Sequence, residues 1–258
     1  MADMIINSFK QRLLGRQRQI GGWLTTGSPT VTEIFAGIGF DWLLLDMEHS
    51  PNDFLLVIDH LRAAGVGAPV VVRVPWNEPV MVKRLLDAGV ASLMFPYVQN
   101  VEEAKAAVAA TRYPPHGIRG VAGTTRATAY GRREGLAQAA EQIAVVVQIE
   151  TPEAMAVIGD IALIDGIDGV FIGPNDLAAN MGYLGNPNHP EVREAMLRGA
   201  AAIRAAGKSS GTLGYASTHA ASPFADGFDF LGVASDAGAI LSGATEKLTI
   251  YSRFREQA

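Results

Sequence analysis

Eight short apolar runs recur along the chain, and polar or amphipathic stretches separate them. The runs span residues 20–25, 41–46, 69–74, 92–95, 143–149, 169–172, 209–213 and 228–233. Val70-Val71-Val72 shows no alternation of polar with apolar positions, as expected of a strand buried on both faces. The stretches between carry helix punctuation. Ser28 and Pro29 supply a capping hydroxyl and a first-turn proline for a helix over 31–36. Asn52 or Asp53 caps another that runs to about residue 64, where Gly65 and Gly67 end it. Further helices are predicted over 8–18, 78–88, 101–112, 130–142, 151–160, 191–206 and 237–254.

Sustained strand–helix alternation implies parallel strands, and eight of them imply a closed α/β barrel of the TIM (β/α)8 type. A doubly wound open sheet is the alternative, but no G-x-G-x-x-G turn follows the first run. With no linker and no internal repeat, one domain over 1–258 is expected. The rhythm breaks once. Residues 113–128 hold Pro114-Pro115 and several glycines, with Arg119 and Arg126 among them. A loop of that length inside a compact domain is usually functional or disordered.

Composition narrows the classes. At 258 residues and 48% hydrophobic the chain can bury one large core. A net charge of -5 provides no basic excess to meet phosphates, so neither nucleic acid nor an acidic membrane is expected as a partner. The absence of cysteine removes disulfides, thiolate zinc sites and cysteine nucleophiles. No apolar span of signal-peptide or membrane-spanning length is present, which leads to the expectation of a cytoplasmic protein.

In a barrel of this kind functional groups project from the C-terminal ends of the strands. The second run ends in Asp46-Met47-Glu48-His49-Ser50-Pro51, two carboxylates and a histidine directly after Leu43-Leu44-Leu45. Arg73 ends the third run, where a charge is costly unless paired. It can clamp a carboxylate, stabilise an enolate oxygen, or form a structural ion pair with Asp46 or Glu48. Gln148 and Glu150 close the fifth run, and Asp176 follows the sixth. Glu150 and Asp176 read either as metal ligands or as helix caps. Two carboxylates facing one cavity repel unless a cation lies between them, and an oxygen-rich set suits Mg²⁺ or Mn²⁺. His49 is the candidate general base, since histidine titrates near neutral pH. No lysine stands at a strand's C-terminal end. A Schiff-base route therefore lacks its nucleophile, and carbonyl chemistry calls for a metal as electron sink.

These motifs together resemble the metal-dependent (class II) pyruvate aldolases of the HpcH/HpaI group. The stretches that carry the resemblance are Asp46 to Asn52, Val72-Arg73-Val74-Pro75-Trp76-Asn77, Leu85-Leu86-Asp87-Ala88-Gly89 and Arg112-Tyr113-Pro114-Pro115. They continue with Gly117-Ile118-Arg119-Gly120, Val147-Gln148-Ile149-Glu150-Thr151 and Gly169-Val170-Phe171-Ile172-Gly173-Pro174-Asn175-Asp176-Leu177. The resemblance implies reversible aldol cleavage of a 4-hydroxy-2-oxo acid to pyruvate and an aldehyde, in aromatic or sugar acid catabolism. Glu150 and Asp176 would bind a divalent metal ion, Mg²⁺, Mn²⁺ or Co²⁺. Gln148 and the backbone around Asn175 and Asp176 would hold the pyruvate carboxylate. Arg73 would stabilise the enolate oxygen. His49 would be the acid/base, working through a water, with Asp87 raising its basicity and Asp46 supporting the network.

The same resemblance implies a homohexamer, a trimer of dimers that exchanges the last helix between subunits. In it the Arg119 and Arg126 loop would reach a neighbour's site. Glu48 receives no task, and alternation along the turn is expected to aim it away from the cavity, toward a structural ion pair. Met47 and Asn175 differ from the smaller residues usual in such aldolases, which leaves the aldehyde class open. Two other readings share the barrel: a lyase acting on an acyl-CoA or phosphoenolpyruvate-type substrate, and a non-catalytic keto-acid-binding protein.

Overall fold

The structure, a computed structural model, describes residues 6–132, 141–214 and 223–255. Its eight strands are β1 Gln19–Leu24, β2 Trp42–Asp46, β3 Val70–Arg73, β4 Ser92–Phe95, β5 Ala144–Ile149, β6 Gly169–Ile172, β7 Ser209–Leu213 and β8 Phe230–Ser235. They pair in chain order, and β8 returns to β1, giving a closed barrel. Every pairing is parallel. The expected eight-stranded barrel is therefore present. Its last strand begins two residues later than its apolar run, and Asp229 just before it already bonds to both flanking strands. The Asp229 carbonyl accepts from Gln19 N–H at 2.9 Å and its carboxylate accepts from Ser210 N–H at 3.1 Å.

The helices follow their punctuation. They are α1 Ser8–Leu14, α2 Pro29–Ile38, α3 Phe54–Ala64, α4 Pro79–Asp87 and α5 Val101–Thr111. After β5 come α6 Pro152–Ala156 and α7 Ile158–Ala162, then α8 Pro174–Asn180, α9 Pro190–Ala205 and α10 Asp236–Arg255. Ser28 caps α2 by accepting from Val31 N–H, and Asp53, not Asn52, caps α3. The helix expected over 151–160 is two, because Val157 leaves helical geometry at φ -115°, ψ 13°. The helix expected over 130–142 falls mostly outside the described residues.

Side chains of each strand alternate between two cores. Leu43, Leu45, Val70, Val72, Val145 and Val147 face outward into the layer under the helices. Trp42, Leu44, Val71, Val146, Phe171 and Phe230 face inward and fill the barrel. Glycines make room for the large inward rings: a Cβ on Gly21 would lie 2.2 Å from the Trp42 ring, and one on Gly211 2.3 Å from Phe230. At the N-terminal mouth α1 forms a plug, with Phe9 centred 5.5 Å from Trp42 and 6.0 Å from Phe230. The packed rings seal that end. The opposite, C-terminal mouth is where the same inward positions turn polar.

Candidate active site

Inward parity carries three polar residues to the C-terminal mouth. Asp46 continues Trp42 and Leu44 on β2, Arg73 continues Val71 on β3, and Gln148 continues Val146 on β5. Asp46 and Arg73 are register partners on adjacent strands. Their side chains meet in a two-point ion pair, Arg73 Nε donating to Asp46 Oδ1 at 2.9 Å and Nη2 to Oδ2 at 2.7 Å. Such a fork fixes the plane of the guanidinium. Burial opposes the charge on Arg73, but the Asp46 hydrogen bonds and the nearby carboxylates outweigh it and its pKa is raised. The Trp23 ring lies 5.4 Å beneath the guanidinium and adds a cation–π contact.

Glu48 forms the ion pair expected of it. The chain does not stay extended after Asp46. Backbone N–H groups of Glu48 and His49 donate to Asp46 Oδ1, at 3.0 and 3.4 Å, and fold the segment into a turn. Strand alternation no longer applies there, and the Glu48 carboxylate is turned to the guanidinium of Arg73, 2.8 Å from its Nη1. It lies 3.7 Å from His49 Nε2 as well. Burial raises the Glu48 pKa, Arg73 and His49 pull it down, and Asp46 and Asp176 push it further up. His49 is exposed at the rim and lines the cavity.

Glu150 stands just past β5 and is 1% exposed. Its Oε1 accepts from Tyr97 N–H at 2.9 Å and its Oε2 from Gln148 Nε2 at 2.6 Å. Neither Glu150 nor Asp176 is a helix cap. Thr151 caps α6 through Ala154 N–H, and Gly173 occupies the cap position of α8, leaving Asp176 inside its first turn. Gly173 has a steric reason: a Cβ there would lie 2.5 Å from Glu150 Oε2. Burial pushes the Glu150 pKa up to about 7, and repulsion from Asp176 and Glu48 adds to burial, against the Gln148 hydrogen bond. A buried carboxylate with two like-charged neighbours is a poor resting arrangement for a protein alone and a suitable one for a divalent cation. Among the described residues no group of three or more His, Asp or Glu stands ready to enclose a metal. The two-carboxylate set thus fits a cation that completes its shell with substrate or solvent oxygens.

These groups surround one cavity of about 360 Å³. His49, Arg73, Gln148, Asn175 and Asp176 line its polar side, and Trp23, Leu213 and Val233 its apolar side.

Asp87 and the arginine loop are elsewhere. Helix α4 starts after the C-terminal end of β3 and returns before β4, so Asp87, its last residue, lies at the N-terminal end of the barrel. Asp87 pairs with Arg119 at 3.0 Å, and Arg119 stacks over Tyr113 at 4.6 Å. Arg126 donates to the Ala88 carbonyl at 3.0 Å. Within one chain, then, Asp87 is not beside His49, and the long loop wraps the end remote from the cavity.

Comparison with known proteins agrees with this architecture. The family described as HpcH/HpaI aldolase/citrate lyase matches residues 19–242. The chain is 47% identical over 252 residues to a hydroxypyruvate/pyruvate aldolase of Sagittula stellata, covering 97% of this chain and 100% of that one. It is 51% identical over 210 residues to a 4-hydroxy-2-oxo-heptane-1,7-dioate aldolase of Salmonella dublin, 80% of each chain. A crystal structure of an HpcH/HpaI aldolase/citrate lyase family protein from Burkholderia cenocepacia superimposes with a TM-score of 0.90 at 42% identity, over 95% of this chain and 99% of that one.

Proposed function

The chain belongs to the HpcH/HpaI aldolase/citrate lyase family, and from that premise we propose that it is a carbon–carbon lyase that cleaves a 4-hydroxy-2-oxo acid to pyruvate and an aldehyde, reversibly. The observation that carries this reading is the cavity wall that brings the forked Arg73 together with Gln148 and Asp176 at the open end of a sealed barrel, with the buried Glu150 bonded to Gln148 beside it. Retro-aldol cleavage needs the 4-hydroxyl deprotonated, the C3–C4 bond broken and the resulting negative charge on the 2-oxygen stabilised. A proton delivered to C3 then completes pyruvate.

Each residue has a share in that sequence. Glu150 and Asp176 would hold a divalent metal ion, which would supply Lewis-acid polarisation of the 2-oxo group. Gln148 and backbone N–H groups near Asn175 and Asp176 receive the substrate carboxylate. Arg73, its plane fixed by Asp46, stabilises the charge on the 2-oxygen through a nitrogen not used by that pair. His49 moves the proton, with Glu48 beside it. Asp87 contributes from a second copy, because in its own chain it lies at the far end. A homohexamer that exchanges α10 provides such copies. The helix suits that role: Asp236 is its one buried residue, and Ile240, Leu241, Leu248, Tyr251 and Phe254 are exposed.

Proton exchange at the pyruvate methyl group tests the assignment of His49 without any aldehyde. The wild type with metal is expected to exchange methyl protons for deuterium, and His49→Ala to exchange at least about a hundredfold more slowly. Equal rates would remove His49 from the chemistry.

A further inference from the structure

The turn that carries Glu48 and His49 is held by a buried chain of hydrogen bonds that leads away from the cavity. Asn52, 5% exposed, is its hub. Its Nδ2 donates to the Asp46 carbonyl at 2.7 Å, to Ser50 Oγ at 2.8 Å and to the Leu24 carbonyl at 3.3 Å. Ser50 Oγ donates to the same Asp46 carbonyl. With its amide nitrogen committed to carbonyls, Asn52 presents Oδ1 as an acceptor, 3.1 Å from His60 Nε2. That contact requires the proton of His60 on Nε2. Nδ1 is then a lone pair, and Thr32 Oγ1 donates to it at 2.6 Å. His60 is 1% exposed and Thr32 is fully buried.

Three elements meet at this chain: α2 through Thr32, α3 through His60, and the catalytic turn through Asn52. The arrangement is costly to assemble from polar groups in a core, where two apolar residues would pack as well. What it secures is direction. Thr32 donates to His60, His60 to Asn52 and Asn52 to the Asp46 carbonyl, so that carbonyl and the turn after it are fixed relative to two helices.

We propose that His60 is a positioning residue for the lyase reaction, acting with Thr32 through Asn52 to hold the turn that presents His49 to the substrate and Glu48 to Arg73. It touches no reacting atom, and it does not hold the metal. Its loss therefore slows proton transfer and leaves binding of the metal and pyruvate nearly unchanged. The inference rests on the reading that His49 moves the proton.

The test uses the full chain with metal and measures deuterium exchange at the pyruvate methyl group together with pyruvate affinity. In His60→Leu the exchange rate is expected to fall about tenfold or more with pyruvate affinity within about threefold of wild type. His60→Gln, whose amide nitrogen can donate to Asn52, is expected to recover most of the rate. Thr32→Val, which removes one hydroxyl at constant shape, is expected to show the same split with a smaller fall, and it keeps the test informative if His60→Leu does not fold. A folded His60→Leu or Thr32→Val with wild-type exchange would overturn the proposal. So would a fall that merely tracks the folded fraction and is not recovered by His60→Gln. Failure of the wild type to exchange at all would instead strike the reading of His49, which keeps the two claims apart.

Discussion

Glu150 is the residue at which burial and chemistry conflict most plainly. Its carboxylate is enclosed and faces Asp176 and Glu48, and its pKa is pushed up to about 7. At neutral pH a proton and a divalent cation therefore compete for the same oxygens. Below pH 7 the proton wins progressively, and above it the carboxylate is free. The apparent affinity for Mn²⁺, read by calorimetry, is predicted to weaken by up to about tenfold per pH unit between pH 7 and 5.5 and to level off above pH 8. The stability of the metal-free chain has the opposite slope. The native state keeps a proton up to about 7 that an unfolded glutamate releases near 4.5, so this group's contribution to stability falls as pH rises through that window. Glu150→Gln is expected to remove both dependences. Asp46 and Arg73 make a contrasting pair, because their geometry satisfies both charges. Replacing Asp46 alone would leave a buried guanidinium short of its fork.

Among the elements, strands were the easiest to read in the sequence. Valine-rich runs such as Val70 to Val72 have no polar face, and only a strand between barrel interior and helix layer needs none. Position at the C-terminal end of a strand also marks Arg73 and Gln148 as residues of the mouth, and the inward parity of β3 and β5 agrees. The turn after β2 was less legible. Asp46 bends it by accepting from two backbone N–H groups, and the bend decides that Arg73 is the partner of Glu48. His60 and Thr32 were invisible as a unit, since they lie on different helices and only the packing of α2 against α3 joins them. Glycine inside strands was similarly silent about its purpose. Gly211 accommodates the Phe230 ring, 2.3 Å from where a Cβ would stand. Gly211→Ala is predicted to cost about 1–3 kcal/mol through overpacking. Chemical denaturation measures it, with no change expected in the metal dependence of the remaining activity.

At the scale of the whole molecule, the barrel has a sealed end and a reactive end, and the sequence motifs do not all belong to the same one. The resemblance implies a catalytic role for Asp87 and a reach to a neighbour's site for Arg119, yet the direction of α4 puts Asp87 at the sealed end, where Arg119 pairs with it and stacks over Tyr113. No pattern within one chain reveals that, because it depends on which way α4 runs and on what a second copy brings. Mixing subunits tests the point. If Asp87 serves the His49 of a neighbour, then His49→Ala and Asp87→Asn homo-oligomers are each impaired, and mixed assemblies recover part of the activity. Absence of recovery in verified mixed assemblies would confine Asp87 and Arg119 to a structural role.

The measurement closest to the central claim is pyruvate release by purified protein from a panel of 4-hydroxy-2-oxo acids, after chelation and again after adding back Mg²⁺, Mn²⁺ or Co²⁺. The account predicts release that chelation abolishes and metal restores, with Glu150→Gln and Arg73→Ala each at least about a hundredfold slower at saturating metal. Equal pyruvate release from chelated, metal-restored and Glu150→Gln protein would contradict it.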